Sequence, residues 1–193
     1  INGDAVDARH RDVVAVKMIR PDISASNQDI TRFLREAEIL KALRHPQIVS
    51  FRAMGSLVSN GVFFAMDYVR GQDGGKVLRD LGQPLAVGRA IDWTCQLLQA
   101  LEFAHSKRYV HRDIKPQNIM VLPDGSIRIL DFGLAKLEDQ FKDLTITGVN
   151  LGKLQYASPE QQRNPAEVDA RSDLYSLGVM FFEMLTGRAP LQG

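Results

Sequence analysis

The chain has 193 residues, enough to bury one large core or the cores of two small lobes, and its 45% hydrophobic and 24% charged residues are ordinary for a globular protein. With 24 basic against 23 acidic residues the net charge is +1, which argues against bulk electrostatic binding of nucleic acid. One cysteine, Cys95, excludes an internal disulfide, the four histidines form no His-x-x-x-His pair, and the longest apolar run, residues 177–185, is too short to span a membrane and carries Glu183.

The first predicted element is a strand over residues 12–19, "DVVAVKMI", closed by Pro21. Apolar residues at Ile30, Phe33, Leu34, Ala37, Leu40 and Leu43 then predict a helix over 29–43, with Ser26 and Asp29 near its start and His45-Pro46 at its end. Two strands, 48–58 and 62–69, flank Asn60-Gly61, a strong hairpin signal. The three glycines of "RGQDGG" (70–75) mark a boundary between a strand-rich part and a helical part. A long helix is predicted over 87–105 with Ile91, Cys95, Leu98, Leu101 and Ala104 on one face, which makes Cys95 a small core residue. "NIMVL" and "IRILD" around Pro123-Asp124-Gly125 read as a short hairpin, residues 134–160 as loop, and 169–185 as a final helix ended by Gly187 and Pro190. There is no internal repeat and no low-complexity tract.

Residues 109–133, "YVHRDIKPQNIMVLPDGSIRILDFG", set Asp113, Lys115, Asn118 and Asp131 among Val, Ile and Leu. An unpaired charge in a core is very costly, so these side chains are expected to hold something polar.

In order the chain carries "VAVK" (14–17), "FLREAEIL" (33–40), "HRDIKPQN" (111–118), "DFG" (131–133), "SPE" (158–160) and "DARSDLYSLG" (169–178). Each alone is a weak signal, but six in order on the predicted strand, helix and loop are strong. The chain resembles the catalytic domain of eukaryotic-like (Hanks-type) Ser/Thr protein kinases, bacterial branch, from about residue 12 to 193. The resemblance implies an α+β, two-lobed fold. Residues 1–69 would form a β-rich N-lobe beginning at the family's third strand. Residues 70–193 would form a helical C-lobe with a catalytic loop at 109–118, an activation segment at 131–160 and the helix at 169–185.

It also implies transfer of the γ-phosphate of ATP to Ser/Thr hydroxyls of proteins, with Mg²⁺ or Mn²⁺, where positioning and charge neutralisation do most of the work. Lys17 would reach the α- and β-phosphates, with Glu36 holding it. Asp113 would accept or orient the substrate hydroxyl proton and Lys115 would sit by the transferring phosphate. Asn118 and Asp131 would be oxygen ligands of the metal. Ala15 and Met120 would cover adenine, Met66 would be the gatekeeper, and the backbone of Asp67 and Val69 would bind the ring edge. His111, Phe132 and Leu40 would stack between the lobes. Asp173 would accept backbone N–H bonds from the catalytic loop. Arg112 before Asp113 implies an activation loop ordered by phosphate, with Thr145 and Thr147 as acceptors. Partners would be protein substrates and a second kinase molecule for autophosphorylation, with no nucleic acid and no membrane segment in this chain. The location would be cytoplasmic.

Two departures stand out. The family's Gly-x-Gly-x-x-Gly loop would precede Lys17, yet Ile1–Val16 contains only Gly3, and the helix at 169–185 is the last where the family has more. The chain is therefore expected to be an internal piece of such a domain, inactive and poorly soluble alone, with Glu160 lacking its Arg partner. Lys153 occupies the usual Thr position of "GKLQYASPE". The alternative is a pseudokinase-like interaction module that keeps the fold without turnover, although such a module has no physical need for Lys17, Glu36, Asp113, Asn118 and Asp131 together.

Overall fold

The computed structural model describes residues 3–6, 13–19, 27–57, 61–132, 155–164 and 167–190, with backbone alone for 3–6, 27 and 28. Pro21, Ser26, Asn60, Gly133, Thr145, Thr147 and Lys153 lie outside the described residues.

β2 (Val13–Ile19) is the alternating "VVAVKMI" run. It pairs antiparallel with β1 (Gly3–Val6) on one side and β4 (Val62–Asp67) on the other, and β3 (Phe51–Ser56) closes the sheet in the order β1-β2-β4-β3. β3 starts later than the sequence suggests, at Phe51, because residues 47–49 bond elsewhere. Val49 N donates to Ile129 O (3.0 Å) and Ile129 N to Gln47 O (2.8 Å), stitching this sheet's approach to the second part of the chain. α1 (Asn27–Ala42) lays a buried stripe of Phe33, Glu36, Ala37 and Leu40 against the sheet, the i, i+3, i+4, i+7 spacing of one helix face.

The glycine-rich stretch at 70–75 is the boundary between the two parts. It forms β5 (Gln72–Asp73) and the start of α2 (Gly74–Leu81), a helix capped by Asp73, whose side chain accepts from Lys76 N at 2.8 Å. Its glycines serve close backbone approach. A Cβ at Gly71 would lie 2.3 Å from Val121 O and one at Gly74 would lie 2.8 Å from Pro116 O, so neither site admits a side chain. β5 thereby joins β6 (Ile119–Val121) and β7 (Ile127–Ile129) in a small second sheet.

α3 (Val87–Ser106) and α5 (Ala170–Thr186) pack together under this sheet, with α4 (Pro159–Arg163) between loop and helix. The buried face of α3 is Ala90, Trp93, Leu97, Ala100, Leu101 and Ala104. This corrects part of the predicted face: Leu101 and Ala104 are buried as expected, but Cys95, Ile91 and Leu98 are exposed, since Trp93 and the alanines turn a shifted stripe inward. α5 begins at an Asp169 cap and ends at Gly187 with φ 74°, and buries Leu177, Val179, Met180 and Met184 while Leu174 and Phe182 face outward. Glu160 is not a stranded buried charge. Its carboxylate accepts from Ser172 Oγ at 2.5 Å, which holds it below the ordinary carboxylate range. Among the described residues no helix is long and apolar enough to cross a membrane.

Candidate active site

Alternation along β2 turns Ala15 and Lys17 to the same face of the sheet. There the Lys17 ammonium meets Glu36 Oε1 at 2.6 Å and Asp131 Oδ1 at 3.5 Å, and lies 5.9 Å from the centre of the Phe64 ring. Burial opposes the charge on Lys17, but Asp131 and Glu36 outweigh it and raise its pKa above 10.5. Glu36 sits on the buried stripe of α1, only 6% exposed, so the pair spans helix and sheet. The residues predicted to pair are brought into contact, and Asp131 joins them.

A cavity of about 210 Å³ opens beside this cluster, lined by Ala15, Met66, Asp67, Val69 and Met120, with Lys17 and Asp131 at its polar end. Ala15 and Met66 are register partners on β2 and β4, which explains why they share a wall. Tyr68 and Leu130 line it too and escaped the sequence reading, because a Tyr beside a strand end and a Leu in an apolar run carry no motif of their own.

The loop 109–118 supplies the other polar groups. Asp113 Oδ1 accepts from Lys115 Nζ at 2.8 Å and Oδ2 from Asn118 Nδ2 at 2.8 Å, and Asn118 Nδ2 also reaches the Asp113 carbonyl at 2.7 Å. Asn118 thus spends its amide nitrogen on the loop, leaving its carbonyl oxygen as the donor suited to a hard cation. Leu130 N donates to Asn118 O at 3.0 Å, so the loop and the strand leading to Asp131 are bonded directly.

The loop is held from below. Asp173, with no exposed surface, accepts from His111 N at 2.8 Å, Arg112 N at 2.7 Å and His105 Nε2 at 2.7 Å. The His111 and Phe132 rings meet with centroids 4.7 Å apart, and Leu40 is buried in the same core. Arg112 takes φ 68°, a left-handed conformation uncommon for a non-glycine residue, fixed by Asp173 on its N–H and by Gln161 Nε2 on its carbonyl at 2.7 Å. His105 and Gln161 are positioning residues that sequence reasoning missed; a helix-end His and a Gln after Pro-Glu gave no chemical signal. Arg112 Nε is buried with no hydrogen-bond partner among the described residues. Its pKa is depressed, first by burial and then by Arg35 nearby, despite Asp173.

The donor set fits a nucleotide and a divalent cation: an apolar slot, a paired lysine at its end, then one carboxylate and one amide oxygen. Among the described residues no three of His, Cys, Asp or Glu converge, so a cation there would rely on Asp131, Asn118 and oxygens brought by the substrate.

Comparison with known proteins agrees with this geometry. The protein kinase domain family profile matches residues 3–193. The chain is 42% identical over 191 residues to the serine/threonine-protein kinase PknB of Mycolicibacterium smegmatis, covering 95% of this chain and 30% of that protein. It is 38% identical over 187 residues to the serine/threonine-protein kinase pkn3 of Myxococcus xanthus, covering 93% and 34%. A probable serine/threonine-protein kinase of Streptomyces coelicolor is 40% identical over 196 residues, covering 98% and 28%. The chain spans about a third of the length of these curated relatives.

Proposed function

The chain belongs to the protein kinase domain family, and from that premise we propose that it carries the phosphoryl-transfer site of a bacterial Ser/Thr protein kinase. The observation that carries this reading is the contact of Lys17 with both Glu36 and Asp131 beside an apolar slot, adjoining the Asp113–Lys115–Asn118 cluster.

The adenine of ATP enters between Ala15 and Met120, past Met66, with its edge on the backbone of Asp67 and Val69. Lys17, oriented by Glu36, neutralises the α- and β-phosphates. Asp131 and the side-chain amide oxygen of Asn118 would hold Mg²⁺ or Mn²⁺, which would supply charge neutralisation to the phosphates. Asp113 accepts the proton of an incoming Ser or Thr hydroxyl, and Lys115, 2.8 Å from Asp113, offsets the negative charge that grows on the transferred group. Arg112 and Arg35 form the receptor for a phosphate on Thr145 or Thr147, carrying about −1.5 to −2 charge, which would order the activation segment 131–160. Protein substrates, and a second kinase molecule for autophosphorylation, are the partners, and ATP as donor puts the site in the cytoplasm.

Nucleotide binding to the intact protein tests the slot and the metal ligands. ATP should bind more tightly with Mg²⁺ than without it, and Asp131→Asn should abolish that difference while leaving a weak metal-independent affinity. Equal affinity with and without Mg²⁺ in the unaltered protein would refute the assignment of Asp131.

A further inference from the structure

The chain as a whole is nearly neutral, but one face is strongly one-sided. Behind segment 67–70, which joins β4 to β5, two cavities of about 520 and 430 Å³ meet at a shared pair, Arg52 and Asp67. The first is edged by Lys41, Arg44 and His45 from the end of α1 and the turn after it. The second adds Arg70 and, from β7, Arg128. Among the described residues that line the two cavities, Lys41, Arg44, Arg52, Arg70 and Arg128 are accompanied by one carboxylate, Asp67, which Arg52 binds. Glu38 engages Lys41 at 3.7 Å, but both side chains are more than half exposed and such pairs contribute little.

Leu40, Pro46 and Phe51 add apolar surface to the first cavity, whereas the second, with Val13 and Leu122 at its edge, is predominantly polar. Both volumes lie within the range of ligand sites, about 300–1,000 Å³. Scattered solvated charges would carry neighbours of both signs, as the rest of this chain does. The cations are strung along two open, joined cavities, so a single small anion would meet too few of them at once. A ligand matching the surface is extended, carries several negative charges and offers apolar side chains between them. An acidic polypeptide meets all three conditions; a nucleic acid strand is the competing occupant.

We propose that this groove docks an extended acidic segment of a protein partner, rich in Asp and Glu with interspersed apolar residues. Arg44, Arg70 and Arg128 lie outside the nucleotide slot, while Asp67, Tyr68 and Val69 line both it and the second cavity.

The test is fluorescence polarisation on the intact protein. The probe is a labelled heptapeptide, Glu-Glu-Leu-Glu-Glu-Phe-Glu, and its Gln-for-Glu counterpart is the control. The acidic peptide should bind, more weakly as NaCl rises from roughly 0.05 to 0.5 M. Arg44→Glu with Arg128→Glu should weaken binding on the order of tenfold or more, and the double Gln variant by less. Arg89→Glu, on the exposed side of α3 and outside the groove, should leave it unchanged. Far-UV circular dichroism and melting of each variant separate misfolding from lost contacts. Equal binding of the neutral peptide, tighter binding of a single-stranded oligonucleotide, or undiminished binding by the well-folded double Glu variant would each overturn the proposal.

Discussion

Below the loop 109–118, Asp173 is wholly buried and receives two backbone N–H groups and the His105 ring. In the same loop, Asp113 is partly buried and accepts from two side chains, the Lys115 ammonium and the Asn118 amide. Both are aspartates with short hydrogen bonds, but backbone donors cannot leave without unfolding the loop, whereas side-chain donors can be exchanged for substrate atoms. The fold spends one carboxylate on architecture and keeps the other for chemistry. Stability measurements should respond to the first and turnover to the second.

The largest expected split is at Asp113. In the intact protein Asp113→Asn should lower kcat by roughly 10²–10⁴-fold, about 3–5 kcal/mol of transition-state stabilisation, with nucleotide affinity and melting temperature nearly unchanged. Steady-state kinetics beside thermal unfolding read both halves, and a large drop in melting temperature would erase the distinction.

Asp173→Ala should do the reverse. Leaving its buried donors without an acceptor costs about 3–5 kcal/mol of folding stability. At about 2–4 °C per kcal/mol for a domain of this size the shift in melting temperature approaches 10 °C or more. Asp173→Asn, which retains an acceptor, should fall between the two, and chemical denaturation is the check.

Lys17 sits on the boundary, serving fold and chemistry together. Its folded pKa is raised above 10.5, so the stability from its ion pairs is complete below pH 10.5 and is lost as pH climbs through the folded value. Denaturant titrations at mildly and strongly alkaline pH should show this loss in the unaltered protein and a smaller one in Lys17→Met. Identical pH dependence in both would mean that the Glu36 and Asp131 contacts contribute nothing to folding.

The smallest effect concerns the architectural side alone. Tyr156 Oη donates to Glu183 at 2.5 Å, joining the chain before α4 to α5, and burial with this bond pushes its pKa well above the ordinary tyrosine value. Tyr156→Phe should cost about 1.5–3 kcal/mol, the worth of a hydrogen bond to a charged group, without altering kcat. A melt with a parallel activity measurement decides it.

The sequence was most readable where chemistry demands particular residue types in order. Asp113, Lys115, Asn118 and Asp131 announce themselves as polar groups in apolar surroundings, Lys17 and Glu36 are legible through the ordered motifs that carry the family resemblance, and the fold brings them together. Asp173 was legible only through the resemblance carried by the motif at 169–178. It was least readable where a residue answers to geometry. Gly71 and Gly74 were read only as a boundary marker, because close backbone approach leaves no trace in periodicity. On α3, apolar residues occupy two faces, so spacing alone could not tell that Trp93 and the small alanines, rather than Cys95, turn inward. His105 and Gln161 act through bonds to residues 68 and 49 positions away, a distance no local pattern encodes.

Phosphate transfer itself tests the account most directly. The intact protein, supplied with γ-labelled ATP, Mg²⁺ and a generic protein substrate, should place label on Ser and Thr, read by phosphoamino-acid analysis. The Asp113→Asn protein, equally folded and equally able to bind ATP, should not. Nucleotide bound by the unaltered protein with no label transferred to substrate or to itself would contradict the account and identify the chain as a binding module on the same fold.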